Sequence, residues 1–281
     1  MEKKIAVISD SGCDLPAEFI QKHNIRVIPL RISFSDAEFL GNGDITNSIL
    51  FERMVREIPK TSLPARSDVC ELFDKLEQEG YTDALYVGVS SNMSGSYNAM
   101  RLFAEDNYNS VKLHLADTRC LSVPEGYCVL EAARELEKTS SIERAIHHMK
   151  DIRARMSIYI ALPTLEYLKR SGRISLIEGA MGTLLHLNPV MTVDAEGRFQ
   201  SSIKAIGYKR AIEFMARDFL KKFGNKTVKI AITHGNCATL AQNFLERMKR
   251  LANVEESFIQ EVSPVLGVHC GPGTLGMVVI F

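Results

Sequence analysis

Apolar and polar positions along this chain follow two rhythms. Short apolar runs predict strands, and longer stretches with apolar residues three and four apart predict helices. Ile5–Ser9 is the first short run, closed by the turn Asp10-Ser11-Gly12-Cys13-Asp14. Pro16 then opens a helix to about His23, since proline suits a first helical position. Arg26–Phe34 alternates and predicts one or two strands, and polar Ser35–Ile45 predicts a loop. Thr46 or Asn47 caps a helix to about Glu57. Pro59 and Pro64 bracket Lys60-Thr61-Ser62-Leu63, read as an extended loop, and Ser67-Asp68 caps a helix with Val69, Leu72, Phe73 and Leu76 on one face. The apolar run Ala84–Val89 breaks into Ser90-Ser91-Asn92-Met93-Ser94-Gly95-Ser96 and resumes as a helix at Tyr97. Val111–Ala116 predicts a strand, and Val123–Lys138 and Ile142–Arg155 predict helices. This alternation argues for a doubly wound, mostly parallel sheet.

Past Ser157 the rhythm changes. Ile158–Ala161 predicts a strand, and Thr164–Lys169 a short helix that stops at Arg170-Ser171-Gly172-Arg173-Ile174. Ile177–Leu187 is apolar nearly all round, so it must be buried or wall a cavity. Pro189–Val193 and Phe199–Ile206 flank the hairpin signal Asp194-Ala195-Glu196-Gly197. Tyr208–Phe223 and Ala238–Leu251 predict helices; Val228–Thr233, Phe258–Val262 and Leu275–Phe281 predict strands. The fold class expected is α/β with two α/β domains. Residues 1–156 form the doubly wound domain, and residues 157–281 a mixed-sheet domain.

Composition removes several functions. The 281 residues carry 34 basic and 34 acidic side chains, with no basic excess to footprint nucleic acid. No apolar run is long enough to span a membrane, and Met1-Glu2-Lys3-Lys4 runs straight into a short strand rather than a signal peptide. Cys13, Cys70, Cys120, Cys128, Cys237 and Cys270 are scattered without a CxxC pair. They are expected to be free thiols, which points to the cytoplasm. No metal-ligand motif, nucleotide-phosphate loop or G-x-S-x-G elbow occurs, so neither a metal nor a nucleotide cofactor is expected.

The candidate chemistry sits in loops. Ser90–Ser96 carries more hydroxyls than one helix cap requires, directly after a buried strand. A helix N-terminus with hydroxyls beside it suits an anion, and ligands sit at the carboxyl ends of strands in open α/β sheets. Thr61-Ser62 gains meaning only if the fold brings it beside Ser94. Gly271-Pro272-Gly273-Thr274-Leu275-Gly276 matches G-x-G-x-x-G, but an apolar strand follows it where a dinucleotide site needs a helix. A tight glycine turn remains, with His269 just before it. Arg170 and Arg173 flank Ser171-Gly172, where cations either complement a helix dipole or meet an anion.

As a set these motifs resemble the DegV family: Asp10-Ser11-Gly12-Cys13-Asp14-Leu15-Pro16, Thr61-Ser62-Leu63-Pro64, Ser90–Tyr97, Leu168–Ile174 and His269-Cys270-Gly271-Pro272-Gly273, in order from residue 5 to the C-terminus. The resemblance implies a two-domain fatty-acid-binding protein with a long-chain acid, palmitate- or oleate-like, buried between the domains. It implies that Thr61, Ser94 and His269 hold the carboxylate. Ser62, Ser91, Arg170, Arg173 and Gly271 would support that site or face a partner. The partner implied is a separate fatty acid kinase that makes the acyl phosphate, and transient membrane-surface contact is left open. The chain departs from the family pattern at Ala65, Met93 and Ser96. It also has Ile206 before Gly207, where relatives often have arginine, with Lys204 the nearest cation.

The physics of such a ligand is consistent. About fifteen buried tail carbons at roughly 0.8 kcal/mol each give on the order of 12 kcal/mol of transfer free energy before ordering costs. A buried carboxylate is costly unless hydrogen-bonded, and two hydroxyls, a helix N-terminus and an imidazole would meet that need. Two other readings use the same residues. One is an acyl-transfer or hydrolytic enzyme with Ser94 as nucleophile and His269 as base, with no evident acidic third member and Asp10 as the one candidate for it. The other is a lipid-sensing regulatory protein.

Overall fold

A computed structural model of the chain describes residues 3–41, 43–177, 190–203 and 207–281, without the side chains of Ser202 and Ile203. The all-round apolar stretch Ile177–Leu187 lies outside the described residues beyond Ile177, as do Lys204 and Ile206. The chain divides into two units. The first comprises Met1–Asp44 and Thr61–Ala154, the second Ile45–Lys60 and Arg155–Phe281.

The first unit is α/β. Strands β1 (Ile5–Asp10), β2 (Arg26–Ile28), β6 (Asp83–Gly88) and β7 (Lys112–Asp117) form a parallel sheet in the order β2-β1-β6-β7. Every residue of β6 is buried, as expected of a central strand covered on both faces. Ala6, Ile8, Ala84 and Tyr86 pack with Phe73 and Leu76 of α3 (Arg66–Gln78) and with Met100 and Phe103 of α4 (Ser96–Glu105). Helix α5 (Ser122–Thr139) also packs on β1 and β6. Strand alternation leaves Val7 and Leu85 for it. Helix α6 (Ile142–Ala154) lies along α5.

Local chemistry explains where this unit departs from the periodicity reading. The segment Ser35–Ile45, expected as a loop, contains strand β4 (Glu38–Leu40), antiparallel to β3 (Arg31–Ser33). Arg31 reaches across to Glu38 at 2.6 Å, and Phe34 and Phe39 meet edge-to-face at 6.2 Å; such cross-strand pairs stabilise a short ribbon. The expected loop Lys60–Leu63 contributes β5 (Lys60–Ser62) to the same small sheet, in the order β4-β3-β5. Helix α3 starts at Arg66, with Ala65 extended ahead of it and no side-chain cap. The expected cap, Asp68, is held instead by Arg31, whose Nη2 lies 2.8 and 2.9 Å from its two carboxylate oxygens.

The second unit is built on a mixed sheet in the order β10-β9-β8-β13-β11-β12. These strands are β8 (Met156–Ala161), β9 (Val190–Val193), β10 (Phe199–Ile203), β11 (Thr227–His234), β12 (Asn253–Glu261) and β13 (Leu275–Ile280). Only β11 and β12 run parallel. The core joins Tyr159, Ile230, Ile232, Met277 and Val279 to Met215 and Phe219 of α8 (Tyr208–Phe223) and to Phe244 and Met248 of α9 (Ala238–Lys249). The short helix α7 spans Glu166–Arg170. A further helix, α10 (Pro264–Cys270), was not expected from periodicity. It is too short to show a repeat, yet Pro264 at its first position and Gly271 after its last are ordinary start and stop signals.

The largest difference in organisation concerns residues 45–60. A linear division leaves this segment with the first domain, whereas its helix α2 (Asn47–Met54) packs on α10. Thr46 caps α2 by accepting from the Ile49 N–H. Buried Asn47 donates from Nδ2 to the Val262 carbonyl at 2.6 Å, and Leu50 and Phe51 close on Gly267 of α10. This attachment generates a prediction. Asn47→Ala strips the partner from a buried carbonyl and should cost about 1–3 kcal/mol. Denaturant unfolding would measure it, with hydrogen exchange at Val262 and α10 rising while the parallel sheet is spared. A loss below about 0.5 kcal/mol, the range of neutral surface changes, would contradict the assignment.

Candidate functional site

In the first unit, the chain leaves β6 through Val89 and turns tightly. The Met93 and Ser94 N–H groups both donate to the Ser90 carbonyl, at 2.9 and 3.0 Å, and the Ser90 N–H is tied to the Cys120 carbonyl at 2.7 Å. Gly95 then stands at the N-cap of α4 and offers no capping side chain of its own. Ser94 is half-buried at this helix start; its Oγ lies 2.9 Å from Ser96 Oγ and accepts from the Ser96 N–H at 3.2 Å. Leu63 sits directly over Gly95, so that a Cβ there would be 3.2 Å from Leu63 Cδ2. The fold thus brings the Thr61–Pro64 segment beside the serine loop within one unit. Thr61 is half-buried and Ser62 exposed.

The serines do not share one role. Ser91 donates its hydroxyl to Asp117 at 2.6 Å, and its N–H lies 3.4 Å from the same carboxylate oxygen. The anion met by Ser91 is therefore the chain's own, which separates it from Ser94. The expected helix start at Tyr97 moves to Ser96, and Ser96 is buried.

Asp10 and Asp14 are also occupied internally. Asp10, fully buried at the end of β1, accepts from Tyr86 Oη at 2.8 Å and from the Gly12 N–H at 2.9 Å. Burial pushes its carboxyl above the usual range, and these hydrogen bonds pull the other way. Asp14 accepts from Ser122 Oγ at 2.5 Å. Both Asp10 oxygens thus accept hydrogen bonds from within the first unit.

In the second unit, two helix ends are pinned together. Helix α7 closes in a Schellman arrangement: the Arg173 N–H donates to the Leu168 carbonyl at 2.8 Å and the Gly172 N–H to the Lys169 carbonyl at 3.1 Å. Gly172 takes φ +74°, the left-handed conformation this closure needs. Opposite, α10 ends at Gly271 with φ +72°, and a Cβ there would overlap the Tyr167 ring of α7. His269, in the last turn of α10, has Nδ1 2.9 Å from Ser171 Oγ. The Arg173 guanidinium donates to the Ser171 carbonyl at 3.0 Å. Burial, with the positive charge of Arg173 nearby, depresses the His269 pKa from 6.5 to about 4. The imidazole is therefore neutral near pH 7, a hydrogen-bonding group rather than a cation. Arg170 and Arg173 are both exposed.

The glycine turn is backbone architecture. The Gly273 N–H donates to the Gly235 carbonyl at 2.6 Å, Tyr208 Oη donates to the Gly273 carbonyl, and Thr274 Oγ1 donates to the Cys270 and Gly271 carbonyls at 2.9 and 3.0 Å. Strand β13 follows directly, which excludes a dinucleotide fingerprint. Among the described residues no group of His, Cys, Asp and Glu could hold a metal ion, and no helix is long and apolar enough to cross a membrane.

Sequence reasoning placed Ser94, His269, Arg173 and Gly271 in loops or at element ends, where they are found, whereas Thr61, expected in a loop, lies in the middle of β5. It missed Tyr167, whose ring needs Gly271 to lack a side chain, and the pairing of Ser171 with His269. The available signal was Ser171-Gly172, a helix stop that fixes the serine at a helix end. It also missed Asp117, which occupies Ser91.

Comparison with known proteins gives a consistent result. Residues 4–281 match the family model described as "Uncharacterised protein, DegV family". A DegV domain-containing protein of Clostridium acetobutylicum is 33% identical over 282 residues, covering 99% of each chain. A solved structure described as fatty acid binding of a DegV family protein from Thermus thermophilus superposes with TM-score 0.85 at 27% identity, covering 99% of each chain. The structure of DegV from Bacillus subtilis, described as a fatty acid binding protein, shares the fold with TM-score 0.87 at 24% identity, again over 99% of each chain.

Two predictions follow from the pinned helix ends. Gly271→Ala forces a Cβ into the Tyr167 ring at positive φ. It should destabilise the second unit by several kcal/mol, on the order of 3, seen as a lower thermal midpoint; an unchanged midpoint would contradict the contact. His269 should titrate in proton NMR with a midpoint near 4, and Arg173→Gln should move that midpoint upward toward 6.5. Because the unfolded chain takes the proton first as pH falls, stability is full above about 6.5 and declines as pH drops through this window to about 4. Titration of His269 near 6.5 in the unmodified protein would contradict this.

Proposed function

The chain belongs to the DegV family, and from that premise we propose that it binds one long-chain fatty acid, palmitate- or oleate-like, and presents its carboxylate to a second protein. Thr61 and Ser94 of the first unit and His269 of the second are the proposed head-group ligands. The observation that carries this reading is Ser94 at the N-terminal end of α4, with the Thr61–Pro64 segment laid against it through Leu63. A hydroxyl at a helix N-terminus answers the need of a carboxylate for a donor and a favourable dipole. A neutral imidazole adds a donor without adding a charge.

The same reading makes the protein a carrier and substrate-presenting subunit rather than a stand-alone catalyst. The partner is a separate fatty acid kinase, which brings ATP and forms the acyl phosphate. Ser62, exposed beside Thr61, supports the head group; exposed Arg170 and Arg173 face the kinase or the forming phosphate. Ser91 supports the loop through Asp117 rather than touching the ligand. The protein works in the cytoplasm, and this reading leaves room for transient contact with a membrane surface.

The test begins with the protein as purified from bacteria. Denaturing mass spectrometry of its organic extract should find about one long-chain acid per chain. An empty extract, together with failure of the delipidated protein to bind added palmitate or oleate, would sink the proposal. Ser94→Ala should then weaken palmitate binding roughly 10- to 100-fold, the worth of one hydrogen bond to a charged group. Hexadecanol, with the same tail and no charge, should be affected far less; equal losses would remove Ser94 from the head group.

A further inference from the structure

The neutral state of His269 raises a question that its position alone does not answer. A neutral imidazole has one N–H and one lone pair, on different nitrogens. A carboxylate only accepts. Whichever nitrogen meets the ligand must carry the proton, and the other must then accept from something else. In the structure Nδ1 faces Ser171 Oγ at 2.9 Å. The side-chain hydroxyl can serve as donor or acceptor, so the pair is consistent with either tautomer when the ligand is ignored. Once a carboxylate must be met by Nε2–H, only one arrangement satisfies both groups: the Ser171 O–H donates to Nδ1.

We propose that Ser171 is a positioning residue for lipid binding: its hydroxyl donates to Nδ1 of His269 and holds the imidazole in the tautomer and orientation that offer Nε2–H to the carboxylate. This rests on the head-group role proposed for His269. The geometry around Ser171 suits the task. Its backbone is fixed at the Schellman closure of α7, where its own N–H donates to the Tyr167 carbonyl at 2.9 Å. Its carbonyl is held by Arg173 at 3.0 Å. Packing of Tyr167, in the first turn of this short helix, against Gly271 ties α7 to the end of α10 that carries His269. The competing acceptor for the hydroxyl proton, the Leu168 carbonyl, is farther away at 3.4 Å. A hydroxyl on a rigid helix end, aimed at one ring nitrogen, is the arrangement by which outer groups orient histidines that bind ligands.

The experiment uses full-length protein, palmitate and hexadecanol. Ser171→Ala should raise the palmitate Kd roughly tenfold and leave hexadecanol binding nearly unchanged, and Ser171→Thr should restore palmitate binding. Nitrogen-15 NMR of His269 with palmitate bound should show the Nε2–H tautomer in the unmodified protein and a mixed or inverted signature in Ser171→Ala. In a His269→Gln background, Ser171→Ala should have no further effect on palmitate. If Ser171→Ala weakens palmitate equally in both backgrounds, or if the unmodified protein shows the Nδ1–H tautomer, the positioning role is overturned. If His269→Gln itself leaves palmitate binding intact, the head-group assignment of His269 falls and this inference falls with it. A selective loss in His269→Gln without any in Ser171→Ala rejects the inference alone.

Discussion

The absence of a side chain at Gly271 is the constraint on which the second unit's chemistry depends. The Tyr167 ring occupies the place where a Cβ would be, and the backbone there takes a positive φ of 72°. Because the ring can close on bare backbone, the ends of α7 and α10 come together, and Ser171 reaches His269. The turn that follows has its carbonyls held by Thr274 and Tyr208 before the chain enters β13. A residue with a side chain at 271 would strain the backbone and separate the helix ends in one step. The motif His269-Cys270-Gly271-Pro272-Gly273 is thus read physically as a positioning device, in which the glycine lets a histidine be held by a neighbouring helix end.

The first unit meets a different constraint. A tight loop between a strand and a helix must satisfy its own polar groups. The Ser90 carbonyl takes two N–H groups, Asp117 takes Ser91, and Ser96 pairs with Ser94. After this internal pairing, the half-buried Ser94 hydroxyl stands at the start of α4, where it accepts from the Ser96 N–H. A capping serine or aspartate at position 95 would spend the same N–H groups on the helix itself. Gly95 avoids that and also admits Leu63, which draws the Thr61 segment alongside.

Much of this was legible before any coordinates. The parallel domain followed from strand–helix alternation, and the mixed sheet's central strands from apolar runs such as Leu275–Ile280. The serine loop and the histidine–glycine turn stood out by residue type. What stayed hidden were pairings distant in sequence. Strand β4 is only three residues long and is held to β3 by Arg31–Glu38 and by edge-to-face Phe34 and Phe39, and β5, Lys60-Thr61-Ser62, has no apolar residue to show a period. Residues 45–60 look continuous with what precedes them, and only the packing of Asn47, Leu50 and Phe51 on α10 moves them to the second unit. Ser171 looked like part of a helix stop, since no local rule says that a side chain 98 positions away will face it.

The acids at the end of β1 show why acidic residues in a marked motif need not be ligands or catalysts. Asp10 and Glu125 are fully buried and Asp14 nearly so. Burial and mutual repulsion push Glu125 well above the usual carboxyl range, and burial pushes Asp10 upward as well. A Glu125 that keeps its proton sheds the charge that would be costly there. Asp10 spends both oxygens on Tyr86 and Gly12, and Asp14 takes Ser122. These contacts tie the β1 turn to β6 and α5, so the Asp10–Asp14 motif anchors the sheet end from which the serine loop departs. The acids of this turn are thus satisfied within the fold, while Ser94 keeps a hydroxyl at the start of α4, the feature on which its proposed head-group role rests.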